Sequence, residues 1–305
     1  MKYLLVLFFL SLFPINTSLK WEKCIDGLHG DTFNALAIEN EDFLAGEFHL
    51  GIFYTTDNGS KWKVKNVGLP CCVKSLYINQ TIFWGVISDG QIVNSTDKGN
   101  HWNVNNIGFS DSTIKITTIA FHENIVFAGT VKNGVLISLD KGNTWKEKNN
   151  GIEGKVITSL VYIEDQIFAG TLDGGIFLSK DLGSNWIAKN SGLPCSSIIT
   201  IFNKDNNIFV SVFNHGIFLS TDLGKSWTAK NNGFGDLSKI NIFSFHIIKN
   251  DVYVGTIGGG IFKSSDNGDN WENIGLKEYD IISLASNHNF IYAGTNGKGL
   301  FKAKY

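Results

Sequence analysis

Six aspartates recur down this chain: Asp57, Asp97, Asp140, Asp181, Asp222 and Asp266. Each stands two residues after a Ser or Thr, two before a Gly and five before a Trp. Carboxylates beside hydroxyls suggest cation ligation or acid–base work. The spacing argues against both. Successive aspartates are 40, 43, 41, 41 and 44 residues apart, so they mark equivalent points of a repeat. A residue repeated at equivalent turns has one structural job per repeat, whereas an active site needs asymmetry. That job is a turn: the aspartate accepts amide hydrogens, the hydroxyl adds a local bond and the glycine takes positive φ. The tryptophans, Trp62, Trp102, Trp145, Trp186, Trp227 and Trp271, then fold over the turn and seal the sheet. Truncating a buried tryptophan costs about 3–5 kcal/mol and one turn hydrogen bond nets about 1 kcal/mol, so the ring outranks the acid.

Other groups that could do chemistry fall outside the aspartate motif. Asp31, Asp89, Asp111, Asp173 and Asp236 lie on connections between repeats or on the turns between second and third strands, where two carboxylates could flank a glycosidic bond; most are expected to form turns. Cys24, Cys71, Cys72 and Cys195 show no C-x-x-C spacing, which excludes the usual zinc pattern. They leave three pairings open, with a vicinal Cys71–Cys72 bond or buried free thiols among the outcomes. His49 and His215 fill equivalent loops, with Lys132 and Lys298 in two others, and no pair has metal spacing. No metal and no cofactor is expected. The net charge of −2 gives no electrostatic case for nucleic acid or an anionic membrane.

Short strands must position these residues. Three prolines, 33 glycines and 13% aromatics suit strands joined by glycine turns, and a period near 40 signals a propeller with one four-stranded sheet per repeat. A "small–Gly–turn–Gly–aliphatic" segment such as AGTLDGGIF, Ala169 to Phe177, precedes each motif, and its seventh copy, Ala293 to Phe301, has no motif after it. Trp21 lies 41 residues before Trp62, in register with the other tryptophans. The expectation is an all-β, seven-bladed β-propeller of four-stranded antiparallel blades, its last blade closed by a strand from Trp21 to Gly27 beside the C-terminal strands. Blade four should place its strands at Lys155 to Ile163, Gln166 to Thr171, Gly175 to Ser179 and Trp186 to Lys189. Lys2, the apolar run from Tyr3 to Phe13, Pro14 and the small polar Asn16, Thr17 and Ser18 have the layout of a secretory signal peptide, too short to span a bilayer. The expected division is residues 1–18 as signal peptide and 19–305 as one propeller domain, secreted or periplasmic.

The six motif copies resemble the Asp-box, or BNR, repeat across essentially all of the mature chain. The fold this implies is shared by sialidases, some endoglucanases, sortilin-type receptors and photosystem II assembly factors, so it does not fix a function. Sialidases grip a carboxylate with three arginines and use a tyrosine nucleophile. This chain has no arginine, and lysine lacks the planar bidentate fork, so sialidase activity is excluded. Single-domain photosystem II assembly factors look similar in size and blade count, but their arginine patch is missing.

The reading is a noncatalytic, monomeric recognition scaffold that binds a protein or glycan on the face opposite the Asp boxes. The alternative is a carbohydrate-active enzyme built on an Asp/Glu pair. The two longest connections, GFSDSTIKI from Gly108 and GFGDLSKI from Gly233, would place Phe109, Asp111, Lys115, Phe234, Asp236 and Lys239 on opposite sides of one pocket, although ordinary length variation explains them equally well. Trp84 falls where other repeats have Ala45, Ala128, Ala169, Val210, Val254 and Ala293; it is expected either to fill the core or to stack on a ligand. His49 and His215 complete the candidate rim.

Overall fold

A computed structural model describes residues 18–70, 72–105, 107, 114–154, 156–195, 197–237 and 240–305. Almost the whole expected signal peptide, Cys71, Phe109, Asp111 and Lys239 lie outside the described residues. The chain forms seven four-stranded antiparallel sheets arranged as a seven-bladed β-propeller. In blade four the strands are Ile157–Ile163, Gln166–Thr171, Ile176–Ser179 and Ile187–Ala188, running outward in sequence order. The seventh blade combines Ile281–Ser286, Phe290–Thr295 and Leu300–Lys304 with Trp21–Lys23. Trp21 pairs with Ala303 and Lys23 with Phe301, so the two chain ends share a sheet. The closing strand is shorter than the Trp21 to Gly27 expected, because the chain turns at Asp26–Gly27.

Each of the seven hydrophobic clusters joins two neighbouring blades. One gathers Phe168, Ile176 and Leu178 of blade four with Ile201, Ile208, Val210 and Trp227 of blade five. The motif tryptophans lie over their own turns as expected, the ring of Trp186 resting on Gly183 and that of Trp271 on Gly268, and the same rings also fill the interfaces between blades. Trp227 Nε1 donates to the Lys189 carbonyl of the preceding blade at 2.7 Å, and Trp102, Trp186 and Trp271 reach Lys65, Lys148 and Lys230 in the same way. Trp21 repeats the bond to Ile274 at 3.2 Å. Trp62 and Trp145 bond their own turns instead. Each ring clasps one blade to the next because its apolar body fills the seam while its N–H finds a carbonyl there. The close approach requires a glycine: at Gly192, φ +94°, an added Cβ would fall 2.4 Å from the Trp227 carbonyl oxygen.

The aspartate turns have the expected hydrogen bonds. In blade three Ser138 Oγ donates to Asp140 Oδ1 at 2.7 Å, Gly142 N–H donates back to Ser138 Oγ, and Thr144 N–H and hydroxyl bind the two Asp140 oxygens. The residue before each glycine is also left-handed, as at Lys141 with φ 58°, which the glycine-only reading had not included. Hydrogen bonds to Asp97 from the His101 backbone, to Asp140 from the Thr144 hydroxyl and to Asp222 from the Ser226 hydroxyl hold these carboxyls at about 2. A carboxyl held below its unfolded value of about 4 stabilises the fold above that pH and loses the contribution as pH falls toward 2. Urea midpoints should therefore drop between about pH 4 and pH 2, and the triple change Asp97→Asn, Asp140→Asn, Asp222→Asn should flatten that drop. An unchanged pH profile in the triple variant would remove this account.

Candidate functional site

Alternation of strand direction puts the aspartate turns and the turns between first and second strands on one face. Interblade connections and the turns between second and third strands share the other. On that second face the connections are tied to the turns by backbone bonds: Val131 N–H to Lys115 O, Leu172 N–H to Val156 O and Phe213 N–H to Ser197 O. These bonds fix the height at which each first strand begins. Every first strand then carries a register irregularity after its first or second residue. A bulge re-aims the side chain at that point. The equivalent residues are Asn34, Lys74, Thr117, Thr158, Ile199, Phe243 and Ile282.

Four of these seven, Thr117, Thr158, Ile199 and Phe243, line a cup of about 660 Å³ on this face. Leu172 and Phe213, at the tips of the turns in blades four and five, complete its wall. Leu172, Phe213 and Phe243 are 52%, 49% and 40% exposed, although large apolar side chains ordinarily seek burial. Asn34 and Ile282 line a narrower axial channel of about 230 Å³, which shares Tyr77 and Thr200 with the cup. No Asp, Glu, Lys or His lies among the described residues lining either space. The cup can therefore desolvate apolar groups but holds no acid–base pair.

The sequence-derived candidates fare unevenly. Lys115, Asp236, His49 and His215 are exposed on this face, outside the cup lining. Phe234 is only 4% exposed and stacks on Trp271 with ring centroids 5.1 Å apart. It belongs to the seam between blades five and six, because it fills the apolar slot after the connection glycine that Leu69, Ile152 and Leu193 fill at other seams, and it is withdrawn from the rim. Trp84 is withdrawn too. It pairs with Tyr77, the register held by Phe127 opposite Ala120 in blade three, so Gly85 fills the alanine slot and Trp84 the large-residue slot. The indole is 1% exposed and abuts Gly142 of the next blade's aspartate turn, where a Cβ would lie 3.0 Å from its ring. That site faces away from the cup.

Asp31, Asp89, Asp173 and Asp236 are all exposed at connections. Asp89 Oδ1 accepts the Gln91 N–H, the turn-forming role expected. Cys24, Cys72 and Cys195 are free thiols, and Cys195 Sγ lies 3.8 Å from His215 Nδ1, which itself approaches the Phe213 carbonyl at 2.8 Å. Among the described residues no group of three His, Cys, Asp or Glu could hold a metal, and no helix is long and apolar enough to cross a membrane. Sequence reasoning missed the cup wall itself. Its signal was apolar residues at turn tips, Leu172 and Phe213, where polar ones are the rule.

No protein-family model matches the chain, and no curated protein matches it. Solved structures do match in fold. A structure of YCF48 bound to a D1 peptide superposes with a TM-score of 0.73 at 14% identity, over 94% of this chain and 95% of that one. An extracellular domain from B. thetaiotaomicron gives 0.75 at 13% identity, over 93% of this chain and 40% of that one. The GH74 xyloglucanase from Xanthomonas campestris gives 0.70 at 12% identity, over 94% of this chain and 53% of that one. At these identities the likeness establishes the propeller fold alone.

Proposed function

We propose that the protein is an exported, noncatalytic recognition platform whose cup receives an apolar segment of a partner polypeptide. The observation that carries this reading is the uncharged cup of about 660 Å³ walled by exposed Leu172, Phe213 and Phe243. Exposed apolar groups gathered in a concavity gain most from covering a complementary apolar surface. Export rests on the leader-like order of Lys2, the apolar run and Pro14. The peptide-bound YCF48 structure is a precedent for a propeller of this size holding a peptide.

The lining favours a polypeptide over a glycan. It offers Ser and Thr hydroxyls but no amide or carboxylate side chain among its described residues, and sugars rely on several such groups. Hydrolysis by an Asp/Glu pair needs two carboxyls flanking one bond, and the cup presents none. The test is selection of a displayed random-peptide library on the purified protein, followed by titration of the selected peptides. Phe213→Asp with Phe243→Asp should weaken binding at least a hundredfold, about 3 kcal/mol, as expected for charging an apolar contact centre. Peptides that bind the double variant as well as the parent, or no enrichment at all, would defeat the reading.

A further inference from the structure

The seven bulge positions are not chemically alike, and their differences give the face a polarity. Six of them line the cup or the axial channel, and all six are uncharged. The seventh is Lys74 of blade two, which is exposed. On the same edge Lys115 opens blade three, and its carbonyl accepts the Val131 N–H, which seats the exposed Lys132 beside it. Lys74, Lys115 and Lys132 take part in none of the ion pairs found among the described residues. Two carboxylates stand on the same connections, Asp89, whose Oδ1 accepts Gln91 N–H, and Glu147, whose Oε1 accepts Asn133 Nδ2, so the three lysines leave this edge with an excess of one positive charge among these five groups. In blades four to six the cup wall is Leu172, Ile199, Phe213 and Phe243. An apolar side therefore faces a side that carries three lysines, and no charge lies among the described residues lining the cup and channel between them.

We infer that the partner segment is amphipathic along its length, with an apolar stretch seated against blades four to six and carboxylates following it onto Lys74, Lys115 and Lys132. This deepens the recognition reading above and rests on it. Three ammonium groups that join no ion pair among the described residues, beside a neutral cup, select against cationic segments more than they add affinity for neutral ones, since like charge is penalised at the same distance that opposite charge is rewarded. The same arrangement fixes direction, because a segment inserted the other way would bring its carboxylates against Phe213 and Phe243, where the described lining of the cup offers no cation.

The experiment uses the peptides selected on the full-length protein, read in two ways. Selected sequences should join an apolar run to two or more Asp or Glu on one consistent side, and their affinity should fall with rising salt. The variant Lys74→Gln, Lys115→Gln, Lys132→Gln alters exposed side chains only; it should bind them about tenfold more weakly and lose most of the salt dependence. Neutral or basic selected peptides, acids on either side without preference, or a triple variant equal to the parent would overturn the inference. If the phenylalanine double variant still abolishes binding in those cases, the cup remains the site and only the charge assignment fails. If no peptide is enriched, both fall.

Discussion

Trp227→Ala should lower the unfolding free energy by about 3–5 kcal/mol, a large share of the roughly 5–15 kcal/mol available to a domain. The ring is 5% exposed and fills the seam between blades four and five with Phe168, Ile176, Leu178 and Ile201. Neither blade can collapse into the space, since each is held on its far side by another seam. Removal also strips the Lys189 carbonyl of its indole donor. Trp227→Phe should recover most of the loss, because it restores volume and forfeits only the N–H bond. Asp222→Asn in the adjoining turn should cost less than Trp227→Ala, since the carboxylate is solvent-facing and Ser220 Oγ still receives the Gly224 N–H. Urea unfolding of the three variants provides the ranking. If Asp222→Asn were the most damaging, the turn rather than the seam would hold the blades.

Glu47→Ala should cost about 3 kcal/mol or more, for a reason absent from the rest of the ring. Its carboxylate is 2% exposed and accepts four backbone N–H groups. Oε1 takes Asp31 and Thr32 at 3.3 and 3.2 Å, and Oε2 takes His49 and Leu50 at 2.7 and 2.6 Å. Alanine would leave these donors without their acceptor. Glu47→Gln should fall between, because its amide turns a donor toward two of the donors. Blades three, four, six and seven use a threonine here, whose hydroxyl donates to the carbonyl of Gly134, Gly175, Gly260 or Gly299. The Asp31 carbonyl accepts Gly299 N–H, so the damage should extend to blade seven. Hydrogen exchange at Thr32, His49, Leu50 and Gly299 would report it, and protection unchanged at all four would contradict the assignment.

The blade count and the shared terminal sheet were legible because a 40-residue period and the Trp21 register survive any local error. The errors were local. Glycine was used as the landmark in blade two, yet there Gly85 fills an alanine slot and Val86 the glycine slot. A slip of one residue exchanges the two faces of a strand, and so Trp84 was aligned with the alanine slot; of its two expected roles the structure has the core-filling one, with the ring against a neighbouring turn. Phe234 was misread for a different reason: it was grouped with the extra length of its connection, whereas it stands at the regular apolar position after the glycine that Leu69, Ile152 and Leu193 share. Glu47 carries no pattern signal at all, because one acid among turn residues gives no sign of four converging amides. The cup was hidden because its wall draws single residues from several blades, which only the ring closure brings together.

Trp21–Lys23 and Leu300–Lys304 come from opposite ends of the chain, with Trp21 set against Ala303. Of the described strands, the earliest to emerge during synthesis therefore waits for the latest. Throughout that interval the leading strand has no mate, and once blade seven is made its outer edge stays bare until the two meet, the condition under which strands cross between molecules. At high concentration the expected failure product is a run of molecules in which each donates its opening strand to its neighbour, a head-to-tail exchange with no natural stopping point.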